Sequence, residues 1–120
     1  IMKKLILVLL IVSIWGTPII AGAMPEMAPP DPLDNGPGEI DVSSYPKEMQ
    51  DIYNNIFKDK CSNCHVLARP IGASYTTADE WKKVIKKMMG KPGSGIDPMS
   101  AKKISEFLIY DSSVRKGGGK

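Results

Sequence analysis

Both cysteines and the single histidine of this 120-residue chain lie within five consecutive residues, Cys61-Ser62-Asn63-Cys64-His65. Two cysteines cannot form a scaffold of several disulfides, and three ligands of this kind are too few for a closed structural zinc site, which needs four. A metal bound here would therefore have to bring ligands of its own. Because a chain of this length forms one domain at most, the pentapeptide belongs to a single small fold.

The first 23 residues have the features of a signal peptide. Lys3 and Lys4 precede an apolar run over residues 5–15, and Ala21-Gly22-Ala23 places small residues where a signal peptidase cleaves. The apolar segment is shorter than the roughly 20 residues that a membrane-spanning helix needs. We therefore expect residues 1–23 to be removed and the mature chain to be periplasmic or otherwise extracytoplasmic, without stable membrane insertion.

Charge is distributed unevenly along the remaining chain. Residues 24–44 contain five acids, five prolines and no Lys or Arg, a composition that predicts a disordered acidic leader. From residue 45 onward, 14 basic residues face 8 acidic ones, so we expect the folded part to have a basic docking surface. The net charge of +3 for the whole chain is too modest to indicate a nucleic-acid-binding protein.

Three segments have the periodicity of amphipathic helices. The first covers residues 45–59 and has apolar side chains at the spacing i, i+3, i+4, i+7 and i+8, namely Met49, Ile52, Tyr53, Ile56 and Phe57. The second opens with a capping box at Thr77, and we expect Gly90 to end it in the left-handed conformation. The third begins with Asp97 as N-cap and extends to about Asp111.

These segments predict an all-α fold, a three-helix domain over residues 45–112 followed by a flexible tail over residues 113–120. No segment has the alternating pattern of a strand. A domain this small buries too little surface to offset the entropy of its chain. We therefore expect another group to fill its centre.

The spacing C-x-x-C-H at Cys61, Cys64 and His65 is the attachment signature of c-type haem. Two thiols separated by two residues can add to the two vinyl groups of the porphyrin, and the adjacent histidine then binds the iron. A thioredoxin-like cysteine pair would follow a strand, whereas a helix is predicted here. The sequence thus predicts one covalently bound haem c per chain.

With these residues the chain resembles class I cytochromes c, and especially compact bacterial monohaem forms, from about residue 45 to residue 110. Phe57 lies four residues before Cys61, the last helix carries Phe107, and Glu80-Trp81 opens the second helix. The resemblance implies a helical domain that encloses the haem and carries single electrons between redox partner proteins. It implies no catalytic activity, and no nucleophilic triad, paired carboxylates or phosphate-binding loop is evident.

The second axial ligand of the iron is left open by the sequence. With His65 and both cysteines already used, a methionine, a lysine or an open position remains. The family position corresponds to Met88, seven residues after Trp81, while Met89 and Met99 are alternatives. An open or labile position would instead give a haem protein that binds a small gas such as nitric oxide. A third possibility is a fixed electron-transfer subunit of a larger redox complex, tethered by the leader.

Other residues have candidate roles around such a haem. Arg69 could pair with a propionate, and the carbonyl of Pro70 could accept the ring N–H of His65. Tyr75 and Trp81 are candidates for contact with the haem edge. Several lysines on or just past the second helix are candidates for docking an acidic partner: Lys82, Lys83, Lys86, Lys87 and Lys91.

Overall fold

The computed structural model of the protein describes Gly22 and residues 29–117, a part of the chain that contains helices and loops but no β-strand. The predicted all-α class is confirmed there. Apart from Gly22, the predicted signal peptide lies outside the described residues. Within them, no helix combines the length and the apolar character needed to cross a membrane.

The first long helix, α1, is continuous and consists of three stretches. Lys47–Ile52 is α-helical, Tyr53–Phe57 is a π-helical turn, and Lys58–Cys61 is α-helical again. The π turn is marked by the N–H of Lys58, which donates to the carbonyl of Tyr53, five residues back. The helix therefore ends on the first cysteine of the motif, two residues beyond the predicted end.

A short second helix, α2, spans Ala68–Gly72 and was not predicted. Pro70 stands at its third position, where the absence of an N–H does no harm because the first turn lacks intrahelical acceptors. Ala68 and Ile71 point into the core. With only five residues, α2 is too short to generate a periodic pattern of apolar side chains.

The third helix, α3, spans Ala78–Met89 and begins as predicted. The side chains of Thr77 and Glu80 cap each other's backbone N–H groups. The end differs from the prediction, since Gly90 has a right-handed φ of −75°. The chain turns later instead, at Gly93 and Gly95, whose φ angles are 72° and 65°.

The last helix, α4, spans Pro98–Arg115 and continues four residues past its predicted end. Asp97 caps it as expected, accepting the N–H of Ser100 at 2.9 Å. At the other end, the carboxylate of Asp111 accepts two hydrogen bonds from Arg115, at 2.7 and 2.5 Å. The first residues of the predicted flexible tail are therefore helical and bonded.

Aromatic side chains of α1 and α4 fill the centre of the molecule. The ring centroids of Phe57 and Phe107 are 5.1 Å apart, and Tyr53 stacks on Phe57 at 5.6 Å. Ile104 and Leu108 are completely buried beside them. The rings of the first and last helices are therefore in direct contact and form the core between them.

The structure describes the leader from residue 29 to residue 44, and this part lies against the helices. It contains a 3-10 helix, Pro32–Asn35, and further along the N–H of Ile40 donates to the hydroxyl of Tyr53 at 2.9 Å. Val42 is buried in the core. These hydrogen bonds and one apolar anchor attach this part of the leader to the helices.

Candidate functional site

A cavity of about 270 Å³ lies beside the aromatic core, bounded by α2, α3 and the end of α1. Cys61, Cys64, His65 and Met88 all line it. Most of the remaining wall is apolar, formed by residues from four parts of the chain: Leu33, Ala73, Trp81, Val84, Ile85 and Ile96. The fold thus brings the three residues of the motif to the same apolar space as the favoured methionine.

The two cysteines sit at the end of α1 and just past it, and both are free thiols. Burial raises the pKa of the Cys61 thiol to about 12, and the neighbouring Cys64 adds to the rise. Reactive cysteine pairs of the thioredoxin type have lowered pKa values, because the thiolate is the nucleophile. The Cys61 thiol is therefore protonated at neutral pH, unlike the nucleophilic cysteine of a thioredoxin-type pair.

His65 is half-buried at the cavity wall. Its Nδ1 lies 3.2 Å from the carbonyl oxygen of Val66, not from that of Pro70 as the sequence suggested. With the ring proton donated from Nδ1 to this carbonyl, Nε2 keeps a free lone pair. The backbone at residue 66 therefore suits the tautomer that binds a metal through Nε2.

The three candidate methionines have different surroundings. Met88 is half-buried and lines the cavity, whereas Met89 packs against the hydrophobic core and lines a groove between α3 and α4. Met99 is 74% exposed on the first turn of α4. Of these three side chains, only Met88 is therefore close to the motif.

Trp81 forms the inner wall of the cavity and is held from both sides. Its indole N–H donates to the hydroxyl of Ser112 at 2.7 Å, and Tyr75 meets it edge-on with ring centroids 5.2 Å apart. The hydroxyl of Ser112 donates in turn to the carbonyl of Tyr75. Both aromatic residues that were candidates for contact with the haem edge line the cavity.

Arg69 also lines the cavity, but its guanidinium is engaged by the leader. Its Nε and Nη2 lie 2.8 and 2.5 Å from the two carboxylate oxygens of Asp34. The bonds to Arg69 hold the pKa of Asp34 below its usual range, and the same ion pair raises the pKa of Arg69. A propionate at Arg69, as the sequence suggested, would compete with this ion pair.

Positive charge surrounds the cavity. Lys60 and Lys91 line it directly, on the sides of α1 and of the loop after α3. The other lysines proposed for docking are exposed on α3, namely Lys82, Lys83, Lys86 and Lys87. Lys82 and Lys86 line the separate groove between α3 and α4, so the lysines at the cavity itself are Lys60 and Lys91.

Two parts of the wall were missed by sequence reasoning. One is the loop after α3, where buried Ser94 accepts the N–H of Ile96 and donates to the carbonyl of Met89. The other is the leader turn with Asp31 and Leu33. The signal for the leader turn was present, since two aspartates three residues apart after prolines have the spacing of a capping box.

No family model matches this chain, and comparison with curated proteins and with solved structures gives no match either. Across residue 22 and residues 29–117, no three His, Cys, Asp or Glu side chains are grouped so that they could hold a metal ion by themselves. The chemistry of the site therefore has to be argued from its own residues.

Proposed function

We propose that the chain is an extracytoplasmic monohaem c-type cytochrome that carries single electrons between redox partners. One observation supports this function above the others. Cys61, Cys64 and His65, which have the spacing of a haem attachment motif, share a mainly apolar cavity with Met88. The four side chains supply the two thiols, the imidazole and the thioether that a haem c with histidine and methionine ligands requires.

The residues present fit this group in chemistry and in setting. Both thiols are free, and Nε2 of His65 has a lone pair when Nδ1 bonds to Val66. The cavity volume of about 270 Å³ is close to the lower end of the roughly 300–1,000 Å³ typical of small-molecule sites. Its apolar lining suits the faces of a porphyrin.

Each residue then has a defined task. In a bound haem c, Cys61 and Cys64 would hold the porphyrin through thioether bonds, and His65 and Met88 would be the ligands of the iron. A haem bound in this way accepts or releases one electron at its iron. Trp81 and Ile85 exclude water, and this exclusion together with the soft sulfur of Met88 favours the reduced state.

The lysines around the site suit docking of an acidic redox partner. Lys60 and Lys91 lie at the cavity itself, and four more lysines are exposed on α3. Positive charge near the point of electron transfer steers an acidic surface toward it and speeds association at low salt.

Intact mass measurement tests the proposal directly. The chain is co-expressed with haem-attachment machinery and exported, and its mass should exceed that of the mature polypeptide by one haem. Acidified acetone should not extract the haem, because both thioethers are covalent. The Cys61→Ser, Cys64→Ser variant is the matched control and should have the unmodified mass. An unmodified mass for the natural sequence under these conditions would contradict the proposed function.

A further inference from the structure

One wall of the cavity comes from the leader. Asp31 and Leu33, at the start of the 3-10 helix Pro32–Asn35, line the same space as Cys61 and His65. Leu33 also packs over α2, where its Cδ2 lies 3.4 Å from the position a Cβ would take on Gly72. Since Leu33 is 37% exposed, it stands between the cavity and solvent.

Arg69 fixes this turn to α2 at two points. Its guanidinium forms the two bonds to Asp34 and a third, at 2.9 Å, to the carbonyl of Pro29. The ion pair is mostly shielded, with 18% of the Arg69 side chain and 26% of the Asp34 side chain exposed. Bidentate arginine–carboxylate pairs define geometry as well as adding energy. The pair therefore fixes where Leu33 stands.

The turn also has bonds of its own. The side chain of Asp31 accepts the N–H of Leu33 at 2.9 Å, and the N–H of Gly36 donates to the carbonyl of Leu33. These bonds keep the turn folded but do not attach it to the rest of the protein. Attachment beside the cavity depends on Arg69 and on the packing of Leu33.

We propose that residues 29–35 are a functional wall of the site, in which Asp34 and Arg69 are positioning residues that hold Leu33 against the bound group to exclude water. The inference rests on the proposed function, since the group concerned is the haem. Water near a haem favours the oxidised state, which carries one more positive charge. Leu33 therefore raises the reduction potential.

Two variants and two controls of the haem-loaded protein test this role. Asp34→Asn breaks the ion pair, and Leu33→Ala removes the apolar cover without changing charge. Asp41→Asn is the control for hydrogen exchange, because Asp41 is a leader acid whose side chain accepts the nearby N–H of Ser43. The intact mass of the unmodified protein is measured first. A missing haem there would contradict the proposed function, and it is thereby recognised separately from any effect of the variants.

Amide hydrogen exchange reports on the attachment of the wall. In Asp34→Asn, the N–H groups of Leu33 and Gly36 should exchange at least about tenfold faster, because a charge-assisted bond has been lost. The N–H of Trp81 in α3 should exchange at the rate of the unmodified protein. Unchanged exchange at residues 33 and 36 would show that Asp34 does not hold the wall, whether or not haem is bound.

The reduction potential reports on the exclusion of water. Leu33→Ala should have a lower potential than the unmodified protein, while the charge-neutral control Val114→Ala, at an exposed position on α4, should stay close to it. Asp34→Asn is not used for this measurement, since losing a negative charge raises the potential and opposes the effect of added water. An unchanged potential in haem-loaded Leu33→Ala would overturn the role assigned to Leu33.

Discussion

Neighbouring residues on one helix can serve different parts of the molecule. Met88 and Met89 are adjacent in α3, yet one lines the cavity and the other packs toward α4. Successive side chains on an α-helix point about 100° apart, so only one of the two can face the motif. The sequence left a methionine, a lysine or an open position for the second axial ligand of the predicted haem. The rotation of α3 about its axis, which the sequence does not show, places Met88 rather than Met89 at the cavity.

Substitution of the three methionines should separate their roles. In the haem-loaded protein, Met88→Ala should abolish the weak thioether-to-iron band at the red end of the ferric spectrum and open the iron to carbon monoxide. Met89→Ala should keep that band and lose roughly 2 kcal/mol of stability, the lower end for emptying a core methionine site. Met99→Ala is the exposed control and should change stability by less than about 0.5 kcal/mol.

The unmodified protein provides the decisive comparison for Met88. A high-spin ferric spectrum with fast binding of carbon monoxide or nitric oxide would contradict a closed six-coordinate iron. The gas-binding alternative would then replace the electron carrier. Loss of the band in Met89→Ala with its retention in Met88→Ala would instead move the axial ligand to residue 89.

Tyr45 is buried against the carboxylate of Asp111, to which its hydroxyl donates at 2.7 Å. Burial, followed by the hydrogen bond and charge of Asp111, raises the pKa of Tyr45 well above its usual 10.0. The folded state thus holds the phenol proton more tightly than the unfolded state does. This contribution to stability is complete below pH 10 and is lost as the pH rises from there toward the folded pKa.

Tyr45→Phe should reveal this linkage. At neutral pH it should lower the free energy of unfolding by about 1 kcal/mol, because one hydrogen bond is lost. Above pH 10, stability should fall less steeply in the variant than in the unmodified protein. Urea unfolding at a series of pH values measures both effects. The control Tyr110→Phe removes the hydroxyl of a neighbouring ring, and its free energy of unfolding should fall with pH as steeply as that of the unmodified protein. Equal dependence on pH in all three proteins would exclude a contribution from the raised pKa of Tyr45.

At the scale of the element, local rules predicted where helices begin better than where they end. The capping box of Thr77 and the N-cap of Asp97 involve residues within one turn, so the sequence alone identified them. The last turn of α4 was not predicted from the sequence because its buried residues are polar. Asp111 and Ser112 are buried by their bonds to Tyr45 and Trp81, which are distant in sequence.

The C-terminal turn of α4 should therefore contribute to stability. Arg115→Ala leaves Asp111, which is 1% exposed, without its charged partner and removes a bond to the carbonyl of Ile71. Since Arg115 is itself partly exposed, we expect the free energy of unfolding to fall by about 2 kcal/mol, within the range for hydrogen bonds to charged groups. Val114→Ala, at an exposed neighbouring position, should change stability by less than about 0.5 kcal/mol. Equal urea midpoints for the two variants would show that the turn is unimportant.

At the scale of the whole molecule, the aromatic core and the cavity lie side by side. The sequence indicated the helical class and the motif, but composition gave no sign of where the leader lies against the helices. Its fixed positions arise from Asp34 pairing with Arg69 and from Ile40 bonding to Tyr53, contacts 35 and 13 residues apart. Such contacts leave no periodic pattern, so the attachment of the leader turn beside the cavity could be recognised only in the folded chain.

The stability of the fold depends on whether the cavity is filled. Side chains that line an unfilled cavity lose dispersion contacts on one side. We therefore expect α2, α3 and the leader, which border the cavity of about 270 Å³, to pack less firmly when it is not filled.

The Cys61→Ser, Cys64→Ser variant tests this dependence, because without thioether bonds it should be isolated free of haem. We expect its thermal unfolding to be broad and weakly cooperative, since walls contributed by α2, α3 and the leader lose their common packing partner. The haem-loaded protein is the reference and should show one sharp transition. Calorimetry, with far-ultraviolet circular dichroism to follow helix content, measures the difference. A sharp transition in the haem-free variant would mean that the core of Tyr53, Phe57 and Phe107 suffices for the fold and that the haem only adds to it.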